Sequence, residues 1–380
     1  MLRTTGRRPG CLNPAGKNFI AAVILGSSIA LSCGCGALSA PVRLSGDNSS
    51  PFLQSTDLIL YDWEDGTPRA VLDAFAGEFG VNVTVVSYVS QEEAIDRLKA
   101  GGTYDLVVME SRHIPKLLRE NLLADIDYRN VPNASYLSAN FRDLVYDPGN
   151  RHSLPYNWGV TGLAVRSDLV QGRVNRWADL WQPHFAGRIG IWYSVPRDVI
   201  ALTLKSLGCS ANSERPDELE AAYRRLLQLR TQAIALESID TGTAAEALCS
   251  GRVVIAMAYA LDVQAAREQC AHVDFIFPEE GALLWNDAWV IPKTSPNRRL
   301  AESFLNYILR PEVGAQMIAG TGYAAPNDAA VALLSPELLN DPVIFPPRDV
   351  LRGAEIILPL SPEGERRYRE IWERLSAGPG

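Results

Sequence analysis

The feature that most constrains the fold is an alternation of short apolar segments with amphipathic ones. Residues 58–61 are typical of a buried strand, and Pro68 opens a segment in which apolar residues recur at helical spacing. Residues 81–87 and 105–108 predict two further strands, and residues 92–99 between them predict a helix. Strand, helix, strand, helix, strand indicates a parallel sheet covered by helices.

The same alternation returns in the second half of the chain. The predicted strands are residues 187–192, 253–257 and 273–277 with an extended segment at 282–291, and the predicted helices are residues 198–207, 216–230, 243–249, 296–309 and 311–318. A chain of 380 residues suggests two or three units at ~150 residues each. We therefore predict an α/β protein with two lobes joined by extended crossings.

Residues 1–35 differ in kind from the rest of the chain. Basic residues come first, without any acidic one, and the apolar run 19–31 follows them. That run is shorter than the ~20 residues that span a membrane. A basic head followed by a short apolar segment predicts an export signal. Residues 36–56, rich in Ser, Pro, Gly and Asn, predict a linker.

The export signal ends in a segment, residues 31–35, that is similar to a lipobox. We predict that Cys33 or Cys35 carries a lipid that holds the protein at the outer face of the membrane. The alternative is an ordinary signal that is cleaved near Ala40, which would leave the protein free in the periplasm.

Export and charge limit the partners and the chemistry of the mature protein. The formal net charge of -8 argues against nucleic acid as the main partner, because phosphate binding needs clustered positive charge. Outside the cytoplasm disulfides can form. Cys249 and Cys270 each end a predicted helix just before a strand, so we prefer them as a pair. The alternative is that these two and Cys209 are buried thiols.

Motifs of catalysis and cofactor binding are missing from the sequence. It contains no G-x-S-x-G, H-E-x-x-H or C-x-x-C motif, and its four histidines have no metal-ligand spacing. We therefore predict a protein that is not an enzyme and that needs neither a cofactor nor a metal.

Aromatic residues stand beside carboxylates where predicted strands end. The segments are Trp63-Glu64-Asp65, Arg197-Asp198 and Trp285-Asn286-Asp287, together with Tyr259 and Tyr323. Ligands of open α/β sheets bind at the carboxyl ends of the strands. Rings attract an organic cation, and carboxylates accept its charge-assisted hydrogen bonds. The alternative is that each ring is core and each acid is solvated.

These residues belong to a wider resemblance. From about Asp57 to Arg352 the chain resembles the bacterial spermidine/putrescine-binding proteins, which capture substrate for polyamine ABC importers. The segments that carry the resemblance are residues 63–79, 104–108, 154–159, 177–181, 285–287 and 322–327. It implies a two-lobed periplasmic-binding-protein fold, class II-like, with the ligand in a cleft. The implied lobes are residues 57–161 with 286–331 and residues 162–285 with 332–378.

The resemblance also implies a ligand set. The implied ligand-binding residues are Trp63, Asp65, Arg197, Asp198, Tyr259, Trp285, Asp287 and Tyr323. The three aspartates would face ammonium groups, and the four aromatic residues would enclose the methylene chain. Arg197 would orient carboxylates; the alternative for Arg197 is a salt bridge at a helix start.

The chain also departs from the family pattern. Val195 replaces a second acid, Gly66 replaces an aromatic residue, Glu110 replaces a small hydroxyl residue and Arg112 replaces another aromatic residue. A late amide is not found, and Glu355 or Ile356 lies in its place. Glu64 or Glu110 would compensate for the lost acid, so Glu64, Glu110 and Arg112 are further candidate ligand contacts.

The resemblance therefore predicts a monomeric protein that captures a polyamine by lobe closure and delivers it to an ABC permease. Which polyamine it binds stays open. One alternative is the same fold with an anionic or metal-chelate ligand, anchored by Arg112 and Arg197. The other is an exported hydrolase that uses Asp65 and Asp287 as a carboxylate pair.

Overall fold

The computed structural model describes residues 56–64, 66–192, 194–236 and 241–377. Its strands are β1 Asp57–Trp63, β2 Asn82–Tyr88, β3 Leu106–Glu110, β4 Ser153–Arg166, β5 Ile189–Trp192, β6 Ala233–Leu236, β7 Ile255–Ala258, β8 Val273–Ile276, β9 Leu283–Val290 and β10 Glu355–Ile356. Its α-helices are α1 Arg69–Phe79, α2 Gln91–Lys99, α3 Ile114–Arg119, α4 Pro196–Ser206, α5 Pro216–Gln232, α6 Thr241–Cys249, α7 Ala260–Gln269, α8 Arg298–Ile308, α9 Pro311–Thr321, α10 Asp328–Val331, α11 Pro336–Leu339, α12 Arg348–Gly353 and α13 Pro362–Ala377. None of these helices combines the length and the apolar character that a membrane crossing requires.

The strands form one sheet in the order β2-β1-β3-β9-β4-β7-β5-β6, with β10 beside β9 and β8 beside β4. At one end β1 pairs in parallel with β2 and β3, and at the other β5 pairs in parallel with β6 and β7. Between these groups lie β4 and β9, which run antiparallel to each other and to their outer neighbours. We call the part around β1–β3 lobe one and the part around β5–β7 lobe two.

Local sequence explains how lobe one begins. Helix α1 ends at Gly80, which adopts a left-handed conformation with φ 65° that L side chains rarely take. The chain then turns directly into β2. Helix α2 begins at Ser90, whose side chain accepts a hydrogen bond from the backbone N–H of Glu93. Gly80 and Ser90 therefore bracket β2, and they fix the position of its last residue, Tyr88.

Each lobe has its own apolar core. In lobe one, Leu60 packs on one face of the sheet with Phe75 and Phe304, and Tyr61 packs on the other face. In lobe two, Trp192 is among the fully buried residues of a single larger core. A small cluster that includes Val160 lies beside the shared strands. The clusters of lobe one and lobe two remain separate, so each lobe has an apolar core of its own, to which β4 and β9 both contribute.

The segment after α9 runs from lobe one to lobe two. Leu334 and Ile344 pack in a separate cluster with Ile318 of α9 and Ala330 of α10. The chain then reaches β10, which pairs in parallel with β9. Helix α13 packs against α5 of lobe two, so the end of the described chain lies on lobe two.

The prediction of α/β alternation is confirmed, with boundaries that shift by a few residues. The longest strand, β4, was not predicted as a strand, although part of it was noticed as a family motif. Pro155, Gly159 and Gly162 interrupt its apolar pattern. The predicted export signal, the linker up to residue 55 and the lipidation of Cys33 or Cys35 lie outside the described residues.

The preferred cysteine pair is confirmed, since Cys249 and Cys270 form a disulfide. It joins the end of α6 to the residue that follows α7. These two helices pack against each other in lobe two. The disulfide therefore cross-links one lobe within itself.

Candidate functional site

A cavity of about 270 Å³ lies where the two lobes meet. Trp63, Tyr88 and Glu110 line it from lobe one, and each is the last residue of a parallel strand. From lobe two come Asp198, in the first turn of α4, and Tyr259, which directly follows β7. The residues therefore meet because the carboxyl ends of the parallel strands in both lobes face the same space.

The shared strands supply the centre of the cavity wall. Asp287 of β9 lies opposite Glu110 of β3 on one side and opposite Asn157 of β4 on the other. Directly opposed residues of neighbouring strands point to the same face of the sheet. The register therefore places two carboxyl groups and an amide side by side.

Aromatic rings form two walls. Trp63 and Tyr88 lie with their ring centroids 4.6 Å apart, while Trp285 contacts Tyr323 edge-on at 5.0 Å and Tyr259 at 6.0 Å. The position of the Trp285 ring requires a glycine at residue 159, which lies opposite it on β4. A Cβ on Gly159 would lie 2.6 Å from the indole ring. Ring walls of this kind suit a methylene chain and a cationic group.

Asp287 is a buried acid with an open acceptor. One of its oxygens, Oδ1, has no hydrogen-bond partner among the described residues, and its carboxyl group accepts a hydrogen bond from the side chain of Trp63. Asn157 Oδ1 likewise has no partner there. A buried polar atom without a partner is costly, so these two oxygens are available to accept hydrogen bonds from a donor that enters the cavity.

The electrostatics around Asp287 are strongly negative. Burial, followed by the charges of Glu110 and Asp62, raises the pKa of Asp287 well above its usual value. Burial also raises the pKa of Glu110 to about 7, although Arg112 opposes this effect. Asp62, at the end of β1 and fully buried, has a pKa raised to about 7 by burial, against hydrogen bonds from Thr67 and the Trp63 backbone. A bound cation would relieve the repulsion between these carboxyl groups.

Arg112, a further candidate ligand contact, is not among the residues that line the cavity; its buried guanidinium contacts two residues that do line it. Arg112 Nη1 lies 2.8 Å from Asp198 Oδ1 and 2.8 Å from Glu110 Oε2. The other oxygen of Asp198, Oδ2, accepts a hydrogen bond of 3.0 Å from the Tyr259 hydroxyl. Burial lowers the pKa of Arg112, but Glu110 and Asp198 outweigh it and raise the pKa above its usual value. Arg112 therefore stays charged and joins lobe one to lobe two.

The structure does not bring the guanidinium of Arg197 to the cavity. It donates hydrogen bonds to the carbonyl of Ala211 at 2.9 Å and to Asn212 Oδ1 at 2.6 Å, and it lies over the ring of Tyr368. These contacts are not the ones expected of a group that orients the ligand carboxylates, nor are they the salt bridge of the alternative. The reason is that Arg197 and Asp198 are successive residues of α4 and point in different directions.

Most of the other predicted residues do line the cavity. They are Trp63, Asp198, Tyr259, Trp285, Asp287 and Tyr323, with Glu64 and Glu110 from the further candidates. Asp65 lies outside the described residues. Glu355, in the place of the late amide, instead accepts hydrogen bonds from the backbone of Ala211 at 3.0 Å and from Lys205 at 3.3 Å. The ligand role of the lining residues stays a prediction.

Several residues of the site were not predicted from the sequence, and four of them bear on its chemistry. Tyr88, Tyr156 and Asn157 line the cavity, and Asp62 lies behind it. Tyr88 ends a predicted strand, so the rule that singled out Trp63 also applies to it. The other three depend on sheet register and burial, which the sequence does not display. Asp62 also accounts for Gly66, since a Cβ at residue 66 would overlap the Asp62 carboxylate.

Comparisons with known proteins agree on one class. Residues 70–346 match the family model of bacterial extracellular solute-binding proteins. The spermidine/putrescine-binding periplasmic protein of Escherichia coli K12 is 32% identical over 351 residues, which cover 92% of this chain and 97% of that protein.

Solved structures give the same picture. A putative spermidine/putrescine ABC transporter structure from Listeria monocytogenes has a TM-score of 0.78 and 29% identity, covering 85% of this chain and 99% of that one. The TpPotD lipoprotein of Treponema pallidum has a TM-score of 0.73 and 26% identity, covering 84% of this chain and 99% of that one. The predicted two-lobed solute-binding fold is confirmed.

Proposed function

Because the chain belongs to the bacterial extracellular solute-binding protein family, we propose that it captures a polyamine and delivers it to an ABC importer permease. The membership that the sequence resemblance predicted is confirmed, and an extracytoplasmic location follows from it. The family consists of transport proteins that bind solutes, not of enzymes. Relatives whose names mention spermidine and putrescine support the ligand class.

One observation carries the proposal for the ligand. Asp287 Oδ1 is buried in a ring-lined cavity without a hydrogen-bond partner among the described residues, and Asn157 Oδ1 beside it is in the same position. An ammonium group has three donors and a positive charge, so it would satisfy both oxygens. The methylene chain of the amine would then lie against the rings of Trp285 and Tyr323.

Isothermal titration of the mature chain tests this proposal. Putrescine, spermidine, spermine and agmatine are titrated in turn, and sulfate, phosphate and a ferric chelate are titrated as matched controls. We expect at least one amine to bind and the anions to give no heat. Binding of an anion without binding of any amine would contradict the proposal.

Capture by closure of the lobes is part of the proposal. We propose lobes at residues 57–161 with 286–331 and residues 162–285 with 332–378, with β4 and β9 as the hinge. Leu334 and Ile344 pack with α9 and α10 of lobe one, so the last crossing to lobe two comes after residue 344. A ligand that contacts Asp287 from the shared strands and Tyr259 from lobe two favours the closed form, since only that form makes both contacts. Small-angle scattering should show a smaller radius of gyration with amine than without. An unchanged radius on saturation with amine would count against closure.

The two alternatives lack support from the cavity. An anion would need a free guanidinium, but Arg112 Nη1 already contacts two carboxylates and Arg197 contacts Ala211 and Asn212. A hydrolase is not favoured either, because the relatives are transport proteins.

The anchor and the oligomeric state complete the proposal. We propose that Cys33 or Cys35 is lipidated and that the protein is a monomer, and the lipoprotein of Treponema pallidum among the structural relatives supports the anchor. Mass spectrometry of the protein purified from membranes should find a diacylglycerol on one of these cysteines. Light scattering of the mature domain should give the mass of one chain.

A further inference from the structure

We propose that Arg112 is a specificity-determining residue, a resident cation that fills one ammonium position so that the cavity prefers diamines to triamines. This inference rests on the proposed polyamine function. It concerns how many positive charges the cavity accepts.

The first argument is the way in which Arg112 is held. Its side chain is 9% exposed, and its Nη1 lies 2.8 Å from one oxygen each of Glu110 and Asp198. Its Nε donates a hydrogen bond of 3.2 Å to Nε2 of His113. Burial and the neighbouring Arg112 lower the pKa of His113 well below its usual value, so the ring is neutral and can accept. Three acceptors therefore fix the guanidinium in place.

The second argument is what this contact does to Asp198. One oxygen of Asp198 takes the guanidinium and the other takes the Tyr259 hydroxyl, so both are in use. The positive charge that an ammonium group would bring to this end is already present. By contrast, Asp287 keeps one oxygen without a partner among the described residues.

The third argument is the cost of a second cation at this end. An ammonium group beside Arg112 would meet a like charge in a buried place, where screening by water is weak. Juxtaposed like charges at an interface cost several kcal/mol. A triamine brings a third ammonium group for which Asp198 is no longer available, whereas the two ammonium groups of a diamine can be met by Asp287 and by Glu64, at the exposed rim of the cavity.

The test compares the affinities for putrescine and spermidine by isothermal titration. We expect the wild-type protein to bind putrescine more tightly. Arg112→Gln removes the resident charge and frees Asp198, so the relative affinity for spermidine should rise about tenfold or more, because the like-charge cost is lost. Arg112→Lys keeps a charge between the same carboxylates and should retain most of the preference of the wild type.

Arg366→Gln is the matched control. Arg366 also pairs with two carboxylates, Glu363 and Glu370, but on the exposed face of α13. This change should leave the ratio of the two affinities as it is in the wild type. If Arg112→Gln fails to fold, Arg112→Gln combined with Glu110→Gln removes one charge of each sign, and the ratio should still move towards spermidine.

Two results would overturn the inference. One is a wild-type protein that prefers spermidine, and the other is an unchanged ratio in whichever Arg112 variant folds. Both assume that an amine binds. If neither putrescine nor spermidine binds the wild type, it is the proposed function that fails, so the two failures are distinguishable.

Discussion

Asp287 and Asn157, on the shared strands, present oxygens that have no partner among the described residues, and we call this part of the cavity its open end. Asp198, on lobe two, has both oxygens in use, and we call its surroundings the closed end. Both aspartates are buried and face the same space. They differ because Arg112 lies beside Asp198, whereas the neighbours of Asp287 are Glu110 and Asp62, which repel it. A buried acid can thus be stabilised in two ways. Its partner is a cation of the same chain, as for Asp198, or a bound ligand, as we propose for Asp287.

The largest expected effect separates the two ends directly. Asp287→Asn should weaken amine binding by about 2–5 kcal/mol, because it removes one partner of a buried charge pair. Asp198→Asn should weaken amine binding by less than ~1 kcal/mol while lowering the free energy of unfolding by ~1–3 kcal/mol, because its contacts are internal. Titration calorimetry and thermal unfolding of both variants measure the two quantities.

Asp73→Asn is the control for this pair, since Asp73 lies on the exposed face of α1 and pairs only with Arg69 there. It should change neither quantity by more than ~0.5 kcal/mol. Equal losses of amine affinity in Asp287→Asn and Asp198→Asn would mean that the two ends do not differ as described.

The sequence predicts residues at strand ends better than contacts between the lobes. Trp63 and Tyr259 come together as expected, because the rule about carboxyl strand ends needs only the strand positions, whereas Asp287 lies inside β9. The contact between Arg112 and Asp198 joins residues 86 apart in sequence and depends on how the lobes meet. No periodicity encodes that distance, so Arg112 could be noticed as a departure, with Glu110 nearby in sequence as its candidate partner, but Asp198 could not be assigned to it.

The same lack of three-dimensional information in the sequence explains why Arg197 was placed wrongly and why Asn157 was not predicted. Arg197 is adjacent to Asp198, yet one step along a helix turns a side chain by ~100°, which directs the guanidinium away from the cavity. To predict the position of Asn157 one must know the register of β4 against β9. Strand β4 was not predicted, because its proline and glycines interrupt the apolar pattern. Local patterns thus predicted where strands end, while register and side-chain direction required the assembled sheet.

A second prediction uses the pH dependence of the open end. The folded pKa of Asp62 is about 7, whereas an aspartate in an unfolded chain titrates near ~3.9. The folded state therefore holds a proton that the unfolded state releases between these values. Its contribution to stability is complete below pH ~4 and is lost as the pH rises towards ~7.

Asp62→Asn removes this titration. The fall in the free energy of unfolding between pH 5 and pH 8 should be smaller in the variant by on the order of 2 kcal/mol. Urea unfolding at the two pH values measures it. Asp73→Asn is again the control, because Asp73 is exposed. A buried aspartate such as Asp105 would not serve, because its side chain bonds to Ser295 and to the backbone of Ile59. A pH dependence identical to the wild type would mean that Asp62 is ionised in the folded protein.

The smallest expected effect concerns the ring wall beside Asp287. Gly159→Ala places a methyl group 2.6 Å from the Trp285 ring, so the ring must shift out of its position against Tyr323. Losing part of a cation–ring contact should weaken amine binding by ~1 kcal/mol. Gly77→Ala is the matched control, because a Cβ there meets nothing within 4 Å and the residue lies within α1. That variant should keep the affinity and unfold at a slightly higher temperature, since alanine favours a helix over glycine by ~0.5–1 kcal/mol. Unchanged amine affinity in Gly159→Ala would mean that Trp285 does not contact the ligand, and that the open end works through its oxygens alone.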